Sequence, residues 1–280
     1  MQVNFQQKPK TYVVINPVAG VTQLETVREK IQSALQARGI PFAIHETTGK
    51  DNLRQKIRDA VGQGFKLFIA AGGDGTLSGV VDGLAGTEIP LVIIPTGTWN
   101  ALAQVLNIPF QIDEAIELLF REHDIRAIDA MQIDQKFYVL SVSAGIGSRT
   151  MEEVEREEKR RFGKLADLWK ALTHLLEFRS HQFEVKIDGR PTKFRASELM
   201  VANSAILGLK ALQLDPNIRM DDGRLNVCRI HANTITNYLK LAASMLKGDQ
   251  KHNWNVLCVE VLQKAKIRCK ENCLRRATVT

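Results

Sequence analysis

Asp74 is a single charge set among glycines. The stretch Phe68-IAAGGDGTLSGVVDGL runs from a short apolar segment through Gly72, Gly73, Asp74, Gly75 and Thr76 into a helix-like pattern. A glycine-packed turn lets backbone N–H groups approach an anion without a Cβ in the way, and a helix that starts there adds a favourable dipole. Two further turns share this character, Asn16-PVAG and Pro95-TGTWN, and Thr76 and Thr98 can add hydroxyl donors. The chain has no G-x-x-x-x-G-K-[ST] and no G-x-G-x-x-G at a strand–helix turn, so the phosphate chemistry is not of the Walker or Rossmann kind. For one such turn, a tight bend with Asp74 capping the next helix explains the residues equally well. Three turns at successive strand ends favour phosphate. A carboxylate inside a phosphate cradle is repelled unless a cation lies between, and Mg²⁺ is held by one or two carboxylates together with phosphate oxygens. The expectation is a Mg²⁺–nucleotide site.

The elements that must position these turns alternate. Thr11-YVVI, Ile40-PFAIHET, Lys66-LFIAAGG and Leu91-VIIP read as strands. Gln23-LETVREKIQSALQARG, Lys50-DNLRQKIRDAVGQG, Thr76-LSGVVDGLAG, Trp99-NALAQVLN and Asp113-EAIELLF read as helices. Such alternation predicts an α/β fold with a parallel sheet covered by helices, and ligands in these sheets sit beyond the carboxyl ends of the strands. From about residue 125 the pattern becomes β-rich, with strands expected at Ile125-RAIDAMQID, Lys136-FYVLSVSAGIG, Gln182-FEVKIDGR, Lys193-FRASELMVANS, Arg224-LNVCRIH and Val256-LCVEVL. A helical stretch from Glu152 to about Phe178 and a helix at Ile235-TNYLKLAASMLKG interrupt it. The expected domains are 1–128, nucleotide-binding, and 129–280, β-rich.

The 280 residues are 44% apolar and 25% charged, ordinary for a globular protein with a real core. The start MQVNFQQKPK is too polar for a signal peptide, and runs such as Ile89-PLVIIP are too short to span a bilayer. A cytosolic location is expected, with any membrane contact made from the surface. The net charge of +7 favours anionic partners. Nucleic acid is not expected, since the charge is dispersed and no binding module is recognisable. Of Cys228, Cys258, Cys269 and Cys273, the last two form a C-x-x-x-C without a second ligand pair nearby. Reduced, structural cysteines are expected.

Asn16-Pro17-x-x-Gly20, Gly72-Gly-Asp-Gly-Thr76 and Pro95-x-Gly-Thr98-x-Asn100, in this order and spacing, closely resemble the catalytic domain of the diacylglycerol kinase and sphingosine kinase superfamily, above all its soluble bacterial lipid kinases. The likeness continues through Asp129, Ser143-AGIG and Asp215-PNIRMDDGRLNV. It implies an α/β first domain that holds ATP, a β-sandwich second domain, and a cleft between them for a lipid hydroxyl. It implies that Asn16, Gly20, Thr47, Thr48, Gly72, Gly73, Asp74, Gly75, Thr76, Thr98 and Asn100 bind the nucleotide. Asp74 would organise the catalytic Mg²⁺ and Asp129 would be the second acid. A structural Mg²⁺ would take the Asp222 carboxylate and the carbonyls of Arg219 and Arg224; an Asp-Gly hairpin is the plainer reading of that turn.

Trp99 stands where relatives carry a small residue, and Ala101 where many bacterial relatives carry Asp. Asn-Ala-Leu-Ala occurs on the sphingosine and ceramide kinase side, so either lipid class is an expected acceptor. The loop Ile206-LGLKALQL is poor in glycine for the family. Relatives also carry an Asp-Gly-Glu motif past the strand like Ala265-KIRCKEN, with its acid as general base; here the chain reads Cys273-LRRATVT. The base is unassigned, and an impaired nucleotide- or lipid-binding homologue is the alternative expectation. A NAD kinase would share Gly-Gly-Asp-Gly-Thr but requires an Asn-Glu motif that is not found.

A lipid kinase must reach its substrate at an interface. Glu152-EVEREEKRRFGKLADLWKALTHLLEFR sets Leu165, Leu168, Trp169, Leu172, Leu175 and Leu176 at helical spacing behind Lys159, Arg160, Arg161 and Lys164. That pattern suits peripheral contact with an anionic membrane; a stripe packed on the sandwich with a solvated basic cluster explains it slightly better. A homodimer is a further possible assembly.

Overall fold

The structure, a computed structural model, describes residues 8–17, 24–121, 123–145, 180–207, 209–215, 217–232, 256–269 and 277–279, with single positions 234, 236, 237, 240 and 243. Gly20, Cys273 and the stretch 152–178, with Lys159, Arg160, Arg161 and Lys164, lie outside the described residues, as does most of the helix expected from 235. The chain divides into two compact units, Met1–Ala127 and Ile128–Thr280.

The first unit is built on a four-stranded parallel sheet in the order β2-β1-β3-β4. The strands are β1 (Thr11–Ile15), β2 (Phe42–Glu46), β3 (Leu67–Gly72) and β4 (Leu91–Pro95). β3 reads LFIAAG and is buried at every position. An unbroken apolar run of this kind is what a parallel strand covered on both faces needs. On one face Val13, Ile15, Leu67, Ile69 and Ile94 pack against α1 (Leu24–Gln36) and α5 (Ile112–Leu118). α1 supplies Val27, Ile31 and Leu35, one apolar residue per turn.

The rings of Tyr12, Phe65 and Phe68 cluster together. The helices α2 (Leu53–Gly62) and α3 (Asp74–Leu84) pack against each other. α3 carries Gly75, Gly79 and Gly83 at four-residue spacing, costly for helix formation. A Cβ at Gly83 would lie 2.5 Å from Ile57 Cβ, and one at Gly79 would lie 2.9 Å from Leu53 Cδ1. Two of the three glycines are thus explained by the close approach of α2. Gly75 is not.

The second unit is antiparallel. One sheet holds four strands in the order β14-β13-β10-β7 and the other six in the order β6-β5-β16-β15-β8-β9. Their ranges are β5 (Met131–Ile133), β6 (Lys136–Tyr138), β7 (Ser141–Gly145), β8 (His181–Ile187), β9 (Arg190–Ala196), β10 (Glu198–Ala202), β13 (Leu225–Ile230), β14 (Val256–Val261), β15 (Ala265–Cys269) and β16 (Ala277–Val279). The intervening β11 (Ile206–Leu207) and β12 (Leu209–Gln213) form a separate pair. Leu199, Val201 and Val227 of the smaller sheet share one core with Phe183, Val185 and Ile267 of the larger, which makes the unit a β-sandwich.

Two continuous apolar stretches each expected to be one strand are split between elements. The chain passes from β9 to β10 at Ser197, leaving the six-stranded sheet for the four-stranded one. Ser197, 1% exposed, makes the corner hold: its Oγ donates to the Ile230 carbonyl and accepts the Ala232 N–H, both at 3.0 Å. β6 and β7 divide Lys136-FYVLSVSAG in the same way. The apolar pattern does not change at these corners because both sheets face the same core.

The expectation of reduced cysteines is corrected for one pair. Cys228 and Cys258 stand directly opposite in the β13–β14 ladder and are joined by a disulfide. They are 30 residues apart, and only the strand register brings them together. Among the described residues no cluster of His, Cys, Asp and Glu forms a metal centre, and no helix is long and apolar enough to cross a membrane.

Candidate phosphate-binding site

Three backbone hydrogen bonds carry the sheet ladder past the ends of the strands and tie the turns into one edge. Asn16 N–H donates to the Ala71 carbonyl at 2.9 Å, Thr47 N–H to Ile15 at 2.8 Å, and Thr96 N–H to Gly72 at 3.2 Å. Asn16, Thr47, Thr48, Gly72 to Thr76, Thr98 and Asn100 therefore gather at the carboxyl edge of the parallel sheet. The sequence expectation brought the same residues together, apart from the undescribed Gly20.

Within this edge the side chains lock the loops. Asn16 Nδ2 donates to Thr76 Oγ1 at 3.0 Å, fixing the hydroxyl of a buried threonine. Asn100 is held at φ +49°, a left-handed conformation that Asn tolerates better than most residues. It accepts the Gly97 N–H at 2.9 Å and donates from Nδ2 to the Gly97 carbonyl at 2.8 Å. Both polar ends of Asn100 thus brace its own loop, while Thr98 lies exposed on it. A Cβ on Gly97 would sit 2.4 Å from the Gly73 Cα, so the two glycine turns are in backbone contact.

Asp74 is the first residue of α3, with Gly73 in the cap position. It does not cap its own helix. Its Oδ1 accepts the N–H of Ala101, the first residue of α4 (Ala101–Val105), at 2.7 Å. Burial raises the pKa of Asp74, and the N–H groups of Ala101, Leu102 and Asn100 oppose that rise. Gly75, beside it, has open space where a Cβ would be, and its backbone is not left-handed. Neither packing nor dihedral strain explains this glycine. An exposed void at a helix N-terminus, next to a half-buried carboxylate and the Thr76 hydroxyl, fits a phosphate and a bridging Mg²⁺.

Sequence reasoning did not find Asp51. Its Oδ2 accepts the Thr48 N–H at 2.7 Å and lies 3.3 Å from His45 Nε2. The Thr48 N–H first, and His45 after it, hold the Asp51 carboxyl below its usual range. An Asp three residues after a threonine in Thr48-Gly49-Lys50-Asp51 is a local turn signal that could have marked it.

The second unit holds a separate constellation. Asp129 donates its N–H to the Met220 carbonyl at 2.6 Å and accepts the Gly223 N–H on Oδ2 at 2.8 Å. Its carbonyl takes a bond from Asn203 Nδ2 at 2.7 Å. Asp129 and the Arg219-MDDGR turn, far apart in sequence, are thus one feature. Asp222 Oδ1 accepts the Arg224 N–H at 3.0 Å, and Arg219 pairs with Asp221 at 3.1 Å. One carboxylate with nearby carbonyls is the right oxygen chemistry for a hard cation. Asn203 was missed by sequence reasoning because its role depends on three distant segments.

A parallel sheet whose carboxyl edge gathers glycine turns around one acid, followed by a β-sandwich, defines a two-unit class of α/β-plus-sandwich proteins. Residues 10–133 match the diacylglycerol kinase catalytic domain, and residues 140–276 match the YegS C-terminal NAD kinase beta sandwich-like domain. An uncharacterized protein of Synechocystis is 29% identical over 89% of this chain, which spans 61% of that relative. The diacylglycerol kinase of Bacillus subtilis is 24% identical over 88% of this chain and 81% of its own length. A crystal structure of a diacylglycerol kinase from Bacillus anthracis superimposes with a TM-score of 0.74 at 25% identity, covering 94% of this chain and 87% of that one. Residues 10–133 thus belong to the diacylglycerol kinase catalytic-domain family and residues 140–276 to the YegS C-terminal-domain family.

Proposed function

We propose that the protein is an ATP-dependent lipid kinase that transfers the γ-phosphoryl group to the hydroxyl of a diacylglycerol or sphingoid-type lipid, working in the cytoplasm at the membrane surface. The observation that carries this is the cradle itself: Asp74 joined to Ala101, with the unfilled space of Gly75 beside it. The N–H groups at the start of α3, with the hydroxyls of Thr76 and Thr98, would hold phosphate oxygens. Asn16 keeps Thr76 oriented, and Asp51 keeps the Thr47–Thr48 turn in place. Asp74 would hold Mg²⁺, which when bound neutralises charge on the phosphates. Asp129 would be the second acid of the reaction, and the Asp222 turn a structural cation site. No residue is assigned as general base.

Phosphoryl transfer draws mainly on positioning and electrostatics, so this arrangement is the larger part of the machinery. The test is a transfer assay with labelled ATP against a lipid panel, run beside equilibrium ATP binding with and without Mg²⁺. Transfer that is lost in Asp74→Asn supports the proposal. Nucleotide binding without transfer to any lipid identifies a binding homologue instead, and unchanged transfer in Asp74→Asn removes the Mg²⁺ assignment.

A further inference from the structure

The second unit carries an exposed leucine on a tip rich in basic residues. Its three exposed large apolar side chains among the described residues are Leu257 (54%), Val259 (46%) and Leu262 (63%), all on β14 or the turn that leaves it. β14 is the outer strand of its sheet. Leu257 and Val259 share the face of Arg229 and Val227, which is turned to the core between the sheets, so they belong to the rim of that core and Leu262 stands apart from them.

Leu262 lies where two turns are fused. Asp188, in the β8–β9 turn, accepts the N–H groups of Leu262, Gln263 and Lys264 at 2.9, 3.0 and 2.9 Å, and returns its own N–H to the Lys264 carbonyl at 2.9 Å. This holds Leu262 outward on a hydrogen-bonded tip. Lys186 and Arg190 lie two residues either side of Asp188, and Lys264 and Lys266 lie two and four residues past Leu262; all four are exposed, and none is ion-paired among the described residues. Register places Lys186 directly opposite Lys266 on adjacent strands, an arrangement that like charges disfavour unless an anion lies over them. The tip's own acid, Asp188, is already engaged by three N–H groups.

We propose that this tip is a docking surface for anionic phospholipid, with Leu262 entering the headgroup layer and the four basic side chains meeting its acidic lipids. An exposed leucine with a basic collar is the composition that interfacial binding requires. A second copy of the chain is disfavoured as occupant, because a two-fold contact would set the basic collar against itself. A nucleic acid would use the basic side chains and leave the exposed Leu262 without a role. The inference rests on the lipid-kinase reading for its biological sense, since such an enzyme must reach membrane-held substrate.

The test is sedimentation with vesicles of phosphatidylcholine, with and without phosphatidylglycerol. It compares the parent chain, Leu262→Asp, the pair Arg190→Glu with Lys264→Glu, and a control pair of equal charge change, Arg58→Glu with Lys66→Glu. Each basic side chain near an acidic surface contributes about fivefold. The tip pair should therefore lose at least about 25-fold in binding to acidic vesicles, and the control pair much less. Leu262→Asp should lose at least about tenfold, with folding confirmed by an unchanged far-UV spectrum and melting temperature. Binding undiminished by the tip variants overturns the proposal. So does equal loss in the control pair, preference for a DNA duplex over acidic vesicles, or a parent dimer that the tip variants dissociate. Transfer to micelle-dispersed lipid should survive in the tip variants. A parent chain that binds vesicles but phosphorylates no lipid in any form refutes the kinase reading and leaves the docking surface standing.

Discussion

The Asp74 carboxylate and the Ala101 N–H meet at 2.7 Å, across 27 residues of chain. The bond joins the start of α3 to the start of α4, so one acid sits where two helices turn their N-terminal ends. The helix ends favour the charge and burial opposes it, and burial is the stronger of the two. A carboxylate held in that balance is suited to a cation that arrives with its ligand.

Replacing Asp74 by Asn should separate stability from function. Folding raises the pKa of Asp74, so its ionised form opposes folding. The penalty is absent below the ordinary carboxylate range and present once pH has risen through the folded value. Asn keeps an oxygen for Ala101 and removes the charge. Asp74→Asn should therefore melt at or above the parent temperature at pH 8, with the difference closing towards pH 4, while transfer falls about 10²–10³-fold. A variant that melts lower at pH 8 and higher at pH 4 contradicts this account.

Gly97 and Gly75 should respond in opposite ways to the same substitution. Gly97→Ala drives a methyl into the Gly73 backbone, and overpacking of this kind costs about 1–3 kcal/mol. Gly75→Ala meets nothing and places a better helix former in α3, a gain of about 0.5–1 kcal/mol. The phosphate reading requires that Gly75→Ala nonetheless weaken nucleotide binding, because the methyl fills the space left for the ligand. Denaturant midpoints and ATP titrations of the two variants check this. A stabilised Gly75→Ala with full ATP affinity would leave that glycine without an explanation.

Asn203 should matter through its amino group alone. It is fully buried, its Nδ2 donates to the carbonyls of Asp129 and Val139, and its Oδ1 has no partner among the described residues. Asn203→Ala should cost about 1–3 kcal/mol, the penalty of leaving buried acceptors unpaired. Asn203→Asp should cost more, since it turns a second acceptor towards those carbonyls. Urea unfolding that ranks Asp above Ala in stability would show that the bonds to Asp129 and Val139 do not govern the site.

The first unit was legible in the sequence because its strands and turns are local. β3 is an unbroken apolar run, and Gly72 to Thr76 follow it directly. What the glycines do was only half legible: Gly97 clears the backbone of Gly73, a contact between separate turns that no spacing reveals. The second unit was less readable for the same reason. Ser197 turns a corner between sheets inside one apolar stretch, the Cys228–Cys258 pair exists only through register, and Asn203 reaches Asp129 from 74 residues away. Asp129 itself was found through the family likeness, and its closure onto Gly223 came only from the fold.

Asp188 should make part of the second unit's stability dependent on acid. It sits at φ +46° in an Asp-Gly turn, which suits a two-residue hairpin, and its carboxylate receives N–H groups from Leu262, Lys264 and Gln263 that lower its pKa. A depressed carboxyl contributes stability that is fully present above the unfolded value of about 3.9 and is lost as pH falls through the lower folded value. Asn tolerates the same backbone and keeps one acceptor, so Asp188→Asn isolates the charge. The variant should melt below the parent at pH 7, and the gap should narrow as pH drops beneath 4. Hydrogen exchange at Leu262, Gln263 and Lys264 should quicken in the variant at pH 7 while the amides of β10 and β13 keep their protection. A melting gap that stays constant from pH 7 to pH 3 would mean that the three N–H groups bind the side chain for its shape and not for its charge.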